Sequence, residues 1–231
     1  MLLDTLARLN EARRARQAAV VVTRFSGDEP EVVIEGDELS GSLGEEIAKV
    51  FRSGKAATVE IDGAPVFLNV HLPPPRIVAI GAVHITQALA RIAPVIGYDL
   101  TIIDPRTAFA TEERFEGVEL IADWPEDVLK DRPFDAYTAV AAVTHDPKID
   151  DFPLSEALKA GCFYVGALGS RKTHAKRVER LKEMGRTDDE ICRIAAPIGL
   201  DIGAASPAEI ALATLAEIVQ AFRRRDLVTL R

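Results

Sequence analysis

Apolar positions at the start of the chain recur at helical spacing. In MLLDTLARLNEARRARQ, Leu2, Leu3, Leu6 and Leu9 share one side and charges lie between them. This predicts an amphipathic helix that packs on its own domain. The period then shortens. AAVVVTRF and EVVIEGD are β-branched runs separated by the turn residues of SGDEP, and they predict two strands. SLGEEIAKVFRSG returns to helical spacing. Ser42 and Glu45 have the spacing of a capping box, and Gly54 suits a C-terminal stop. AATVEIDGAPVFLNVHL predicts a hairpin about Asp62-Gly63. Together these make a small α+β module over residues 1–72, with no catalytic constellation in it.

Pro73, Pro74 and Pro75 interrupt the pattern. Prolines cannot donate backbone hydrogen bonds and favour extended chain, so residues 73–75 are expected to form a stiff linker. From residue 76 to 231 the pattern is different. RIVAIGA, YDLTIID, VELIAD, TAVAAVTH and CFYVGALG are nearly continuous apolar runs. Amphipathic segments follow several of them: HITQALARIAPVIG, DFPLSEALKAG and the stretch from Lys172 to Met184. Such strands are buried on both faces, which requires a parallel sheet covered by helices on each side. The expected fold class is therefore α/β, with a doubly wound, Rossmann-like domain after the small module. TDDEICRIAAP reads as a short helix stopped by Pro197. The last helix has Ser206 as N-cap, Pro207 in its first position and Glu209 closing a capping box. Arg223, Arg224 and Arg225 in its last turn complement the helix dipole.

Composition narrows the functional classes. Hydrophobic residues make up 48% of the 231, which supports a packed core, and the formal net charge is -8. A sequence-independent binder of nucleic acid carries the opposite sign, so nucleic acid is not an expected partner. No run of about 18 apolar residues is present to span a membrane, and no export signal is recognisable. A soluble cytoplasmic protein is expected. Cys162 and Cys192 lie in no CxxC and beside no histidine at ligand spacing, so neither a disulfide framework nor a structural metal site is expected. Cys162 reads as a small core residue.

In a doubly wound sheet, ligands bind beyond the carboxyl ends of the strands. Four segments end there. IGAVHITQA keeps only Gly81 of a G-x-G-x-x-G fingerprint, because Val83 and Thr86 occupy the other glycine positions. His84 follows at a helix start, as a cap or a ligand contact. TIIDPRTAF places Asp104 where an acidic residue meets a ribose hydroxyl, with Arg106 near enough to hold a phosphate instead. VTHDPKIDD sends Thr144, His145 and Asp146 off the tip of an apolar strand. Small-molecule contact is the better reading there, since neighbours in an extended chain point to opposite faces and need not converge on a metal. FYVGALGSRK has the strongest physical support. Gly166 and Gly169 permit close approach, Ser170 can cap the next helix and donate to an anion, and Arg171 and Lys172 add full charges to a helix N-terminus. Lys176, Arg177, Arg180 and Lys182 fit a solvated basic face.

Four stretches in order resemble the XdhC/CoxI family of accessory factors for xanthine dehydrogenase and related molybdenum hydroxylases. They are RIVAIGAVHITQALARIAPVIGYDLTIIDPR, VTHDPKID, FYVGALGSRKTHAKRVERL and PIGLDIGAASPAEIALATLAEI. The resemblance implies a non-catalytic chaperone that binds the molybdenum cofactor, as molybdopterin or its dinucleotide form. It also implies a cysteine desulfurase partner that sulfurates the cofactor and an apo molybdenum hydroxylase that receives it. The ligand phosphate would then sit at residues 169–172. The resemblance and the apolar N-terminal helix also point to a homodimer. The family shows G-A-G-H where this chain has Gly81-Ala82-Val83-His84. Its G-S-S-P-R-x-x-G and G-G-C-V-E runs have no counterpart, so a shortened or divergent member is expected. The alternatives are an NAD(P)-dependent oxidoreductase and a nucleotide-sensing or partner-binding module. Val83 and the lack of a Tyr/Lys or Cys/His pair weigh against the first.

Overall fold

The sheet of the N-terminal part carries a helix on each of its faces. In the computed structural model, which describes residues 3–224, the chain divides into two units, one ending at Pro74 and one beginning at Pro75. The first contains α1 (Leu3–Arg14), β1 (Ala19–Arg24), β2 (Glu31–Ile34), α2 (Gly41–Ser53), β3 (Ala57–Ile61) and β4 (Ala64–His71). The strands form an antiparallel sheet in the order β2-β1-β4-β3. Val20 and Val22 join Ile47 and Val50 of α2 in one core, while Ala19 and Val21 join Leu9 and Ala12 of α1 in another. The period of two along β1 therefore supplies both layers. Asp62 and Gly63 take φ of 52° and 81°, as a two-residue hairpin turn of the primed type requires. Gly54 closes α2 in the left-handed region.

Two local expectations are corrected in this unit. Ser40 is the N-cap of α2 and no side chain caps it. Ser42 falls inside the first turn, where a helical backbone cannot play the cap role, so the Ser42–Glu45 box does not form. On α1, Leu9 is buried but Leu3 is 84% exposed. Only the later part of the apolar stripe packs on its own unit; Leu2 lies outside the described residues.

The second unit begins with β5 (Arg76–Ile80), α3 (His84–Ile92), β6 (Asp99–Ile103), β7 (Glu119–Ile121) and α4 (Pro125–Asp131). It continues with β8 (Thr138–Ala142), α5 (Pro147–Lys159), β9 (Tyr164–Ala167), α6 (Arg171–Glu183), α7 (Asp188–Ile191), β10 (Ile194–Ala195) and α8 (Pro207–Arg223). All six strands are parallel, in the order β10-β9-β8-β5-β6-β7. The chain winds outward from β5 in one direction, then crosses to β8 and winds outward in the other. The order reverses between β5 and β8, and this is the topological switch point. Ile77 and Ala79 face the core shared with Leu89 of α3 and Ile218 of α8. Val78 and Ile80 face Leu154 and Leu158 of α5 and Leu181 of α6. Burial on both faces accounts for the continuous apolar runs.

TDDEICRIAAP is helical only over α7, which a Thr187–Glu190 capping box opens. Its end becomes β10, a sixth strand paired to β9. Two residues are too few to carry a periodic signal; the open edge of β9 recruits them. Helix α4, in WPEDVLKD, also lies beyond the predicted elements. Ser206, Pro207 and Glu209 start α8 as their sequence implies. Arg223 ends that helix and Arg224 is its C-cap, while Arg225 lies outside the described residues. Among the described residues, no helix is long and apolar enough to cross a membrane.

Candidate functional site

The loop after β5 meets the loop after β8 at the switch point. Gly81 has φ of 120°, and a Cβ there would lie 2.8 Å from the Thr144 methyl. Only glycine allows that turn and that approach. Thr86 is buried and donates to the Gly81 carbonyl at 2.6 Å. The Ala82 N–H donates to Asp104 Oδ2 at 2.7 Å. Arg106 grips the same carboxylate through Nε and Nη2, at 2.9 and 2.7 Å, and stacks on Phe109. Asp104 is fully buried. Burial opposes its ionisation, but the hydrogen bonds from Arg106 and Ala82 outweigh that and hold its pKa below the usual carboxylate value. Asp104 and Arg106 thus brace each other and the first loop. Val83 is the N-cap of α3 without a side-chain cap bond and packs partly on the core. His84 Nδ1 meets Gln87 Oε1 at 3.0 Å. Arg114 is unmarked in the sequence, yet it donates to the Ala82 carbonyl and to Gln87.

After β8 the chain does not stay extended. His145 takes φ of 66°, so the alternation argument fails for these three residues. Thr144 donates to Asp150 Oδ1 at 2.7 Å, the His145 N–H donates to Asp150 Oδ2 at 3.1 Å, and Asp146 caps α5. Burial pushes Asp150 up to about 6, against the Thr144 bond and the charge of Arg177. Asp150, one helical turn past Asp146, is what gathers this loop.

After β9, Gly166 lies within the strand. A Cβ there would clash with Tyr164 at 2.5 Å, so this glycine makes room for the tyrosine, whose hydroxyl donates to Glu217. Gly169 has φ of 138°. Ser170 caps α6 by accepting the Thr173 N–H. Arg171 and Lys172 are exposed at the helix start, and among the described residues neither makes an ion pair or a side-chain hydrogen bond.

The rest of the basic cluster is only in part the solvated face expected of it: Lys176 and Lys182 are exposed, but Arg177 is not. Arg177 is 2% exposed and donates from Nη2 to the Leu168 carbonyl at 3.0 Å, which props the turn from beneath. Among the described residues its Nε and Nη1 have no partner, and burial lowers its pKa. Arg180 pairs with Asp151, and Lys182 with Asp188. Helical spacing alone cannot reveal such partners, because they come from other elements. Cys162 is buried, and its thiol is pushed up to about 12 by burial.

The comparisons agree with this architecture. A crystal structure of a xanthine dehydrogenase from Bacillus halodurans superposes with a TM-score of 0.63 at 25% identity, over 96% of this chain and 65% of that one. The chain is 31% identical to a probable xanthine dehydrogenase subunit of Bacillus subtilis, over 68% of this chain and 46% of that protein. It is 33% identical to the molybdenum cofactor insertion chaperone PaoD of Escherichia coli, over 57% of this chain and 35% of that protein. Identity to Escherichia coli YqeB is 31%, over 67% of this chain and 29% of that one. The chain thus spans less than half the length of these curated relatives. The XdhC Rossmann domain model matches residues 77–218, more than half of the chain, and this protein belongs to the XdhC family.

Proposed function

We propose that this protein carries the molybdenum cofactor, holds its phosphate at the turn after β9, and delivers it to a molybdenum hydroxylase. The observation that carries this reading is the pair Arg171 and Lys172, which lack acidic partners among the described residues at the ligand-binding edge of the sheet. Their charges add to the N–H groups at the start of α6. A phosphate fits this donor set; when bound, the cofactor brings the molybdenum and pterin chemistry, and the chain supplies charge and orientation. The resemblance of this chain to a named insertion chaperone supports the carrier role. The reading extends to sulfuration of the carried cofactor by a cysteine desulfurase, to a homodimer and to the cytoplasm. The test is retention of molybdenum and pterin by the purified protein, and activation of an apo-hydroxylase, for the parent and for Arg171→Ala. Retention unchanged in the variant would remove the basis of the proposal.

One feature favours a dinucleotide instead: no side chain caps α3 at the switch point. Against it, the Ala82 N–H and the Asp104 carboxylate are already engaged with each other. NAD and NADP are expected to bind with dissociation constants of about a millimolar, the weak end of the affinity scale. Micromolar binding in a calorimeter would favour the oxidoreductase reading.

A further inference from the structure

No residue of 197–204 stands out in the sequence as a ligand. In the fold this loop walls a cleft of about 490 Å³, within the range of small-molecule sites. Leu168, Ile198, Ile202 and Ile210 give it apolar walls, and two charged side chains line it, Arg171 and Asp201. The wall is built in advance. Glu217 of α8 accepts the Gly199 N–H at 2.8 Å and the Tyr164 hydroxyl at 2.6 Å. The Leu200 N–H donates to the Ala213 carbonyl. Gly199 has φ of 93°, and a Cβ there would lie 3.0 Å from the Thr214 nitrogen, so the loop lies directly on α8. The polar edge, by contrast, is open. Among the described residues, Asp201 makes no ion pair or hydrogen bond through its carboxylate, and the N–H groups of Gly203 and Ala204 donate to no residue.

We propose that this cleft binds a 2-amino-4-oxopyrimidine ring, the edge common to pterins and guanine, on a ligand whose phosphate lies at the start of α6. The ring's adjacent N–H and amino groups present two donors to one acceptor pair, which the Asp201 carboxylate supplies. The apolar side chains cover the ring faces. Arg171 belongs both to the cleft and to the helix start, and it joins the ring site to the phosphate site. The inference rests on the reading of the turn given under Proposed function, and the experiment separates the two.

Four phosphorylated probes are titrated into the full chain: guanosine monophosphate, a pterin monophosphate, adenosine monophosphate and ribose 5-phosphate. The first two are expected to bind at least about tenfold more tightly than the last two, because only they offer the paired donors. Asp201→Asn removes that preference and leaves ribose 5-phosphate unchanged. Asp201 is exposed, so the variant keeps the parent's melting temperature. Arg171→Ala weakens all four together. Whichever of the two preferred probes binds tighter identifies the source of the ring, cofactor or nucleotide. Equal binding of all four, or a preference that survives Asp201→Asn, overturns the proposal. If no phosphorylated probe gains over its unphosphorylated form, the turn fails as an anion site. Unphosphorylated guanosine and pterin then decide the cleft, which stands if their binding depends on Asp201 and falls if it does not.

Discussion

The loop after β5 and the turn after β9 leave the same edge of the parallel sheet, each with a glycine at positive φ and a helix behind it. They differ in where their polar groups go. In the first, Ala82 gives its N–H to Asp104 and its carbonyl to Arg114, and Arg106 closes on Asp104. In the second, Ser170 and Arg177 satisfy the backbone, while Arg171 and Lys172 stay without partners among the described residues. The glycines differ too. A Cβ at Gly81 would meet the Thr144 methyl at 2.8 Å, whereas one at Gly169 would come no closer than 3.2 Å to Thr173. The same topology thus yields one turn closed on itself and one whose charges stay open, as the proposed anion site requires.

The largest effect is expected where the first loop is closed. Asp104→Ala leaves Arg106 and the Ala82 N–H without their acceptor and should destabilise the fold by about 3 kcal/mol, the scale of breaking a buried pair. Denaturant unfolding measures it. A loss below about 0.5 kcal/mol, the scale of an ordinary surface change, would mean that the first loop is as open as the second.

Asp150 sharpens the contrast through pH. Its folded pKa of about 6 lies above the ordinary 3.8, so the folded state binds the proton more tightly. Its contribution is fully present below pH 3.8 and is lost as pH rises through 6, a change of about 3 kcal/mol at 1.36 kcal/mol per unit. Asp104 is depressed and acts in the opposite sense: its contribution is present above the ordinary carboxylate pKa and falls away on acidification. Asp150→Asn should flatten stability between pH 4 and 6. A slope that persists in the variant would assign it to other groups.

Arg171→Ala should leave stability nearly unchanged and lower cofactor affinity by about 1.5–3 kcal/mol, roughly tenfold to a hundredfold. Paired melts and binding isotherms separate the two effects. The smallest effect is expected at Lys176, exposed on α6 beyond the helix start. Lys176→Ala should change affinity less than about twofold, as for a screened surface charge. Equal losses at Arg171 and Lys176 would reduce the second turn to a diffuse basic surface.

Periodicity along the chain determined most element types, the change from alternating to continuous apolar strands, and hence a small α+β module followed by a parallel sheet. It also located the Asp62-Gly63 turn and the caps at Ser170 and Ser206, because those signals lie within a few residues of each other. The tertiary structure alone decided the rest. Arg177 looks like a surface residue by its helical neighbours, but in the fold it is buried and donates to the Leu168 carbonyl. Asp104 looks like a ligand for ribose, but Ala82 and Arg106 surround its carboxylate. Ile194 and Ala195 become a strand only because β9 has an open edge. Asp201 meets Arg171 in one cleft only because α8 holds the loop of residues 197–204. A local pattern encodes which side of an element avoids water. It does not encode which distant backbone or charge arrives on that side, and at this sheet edge those arrivals decide which polar groups are engaged and which are left open.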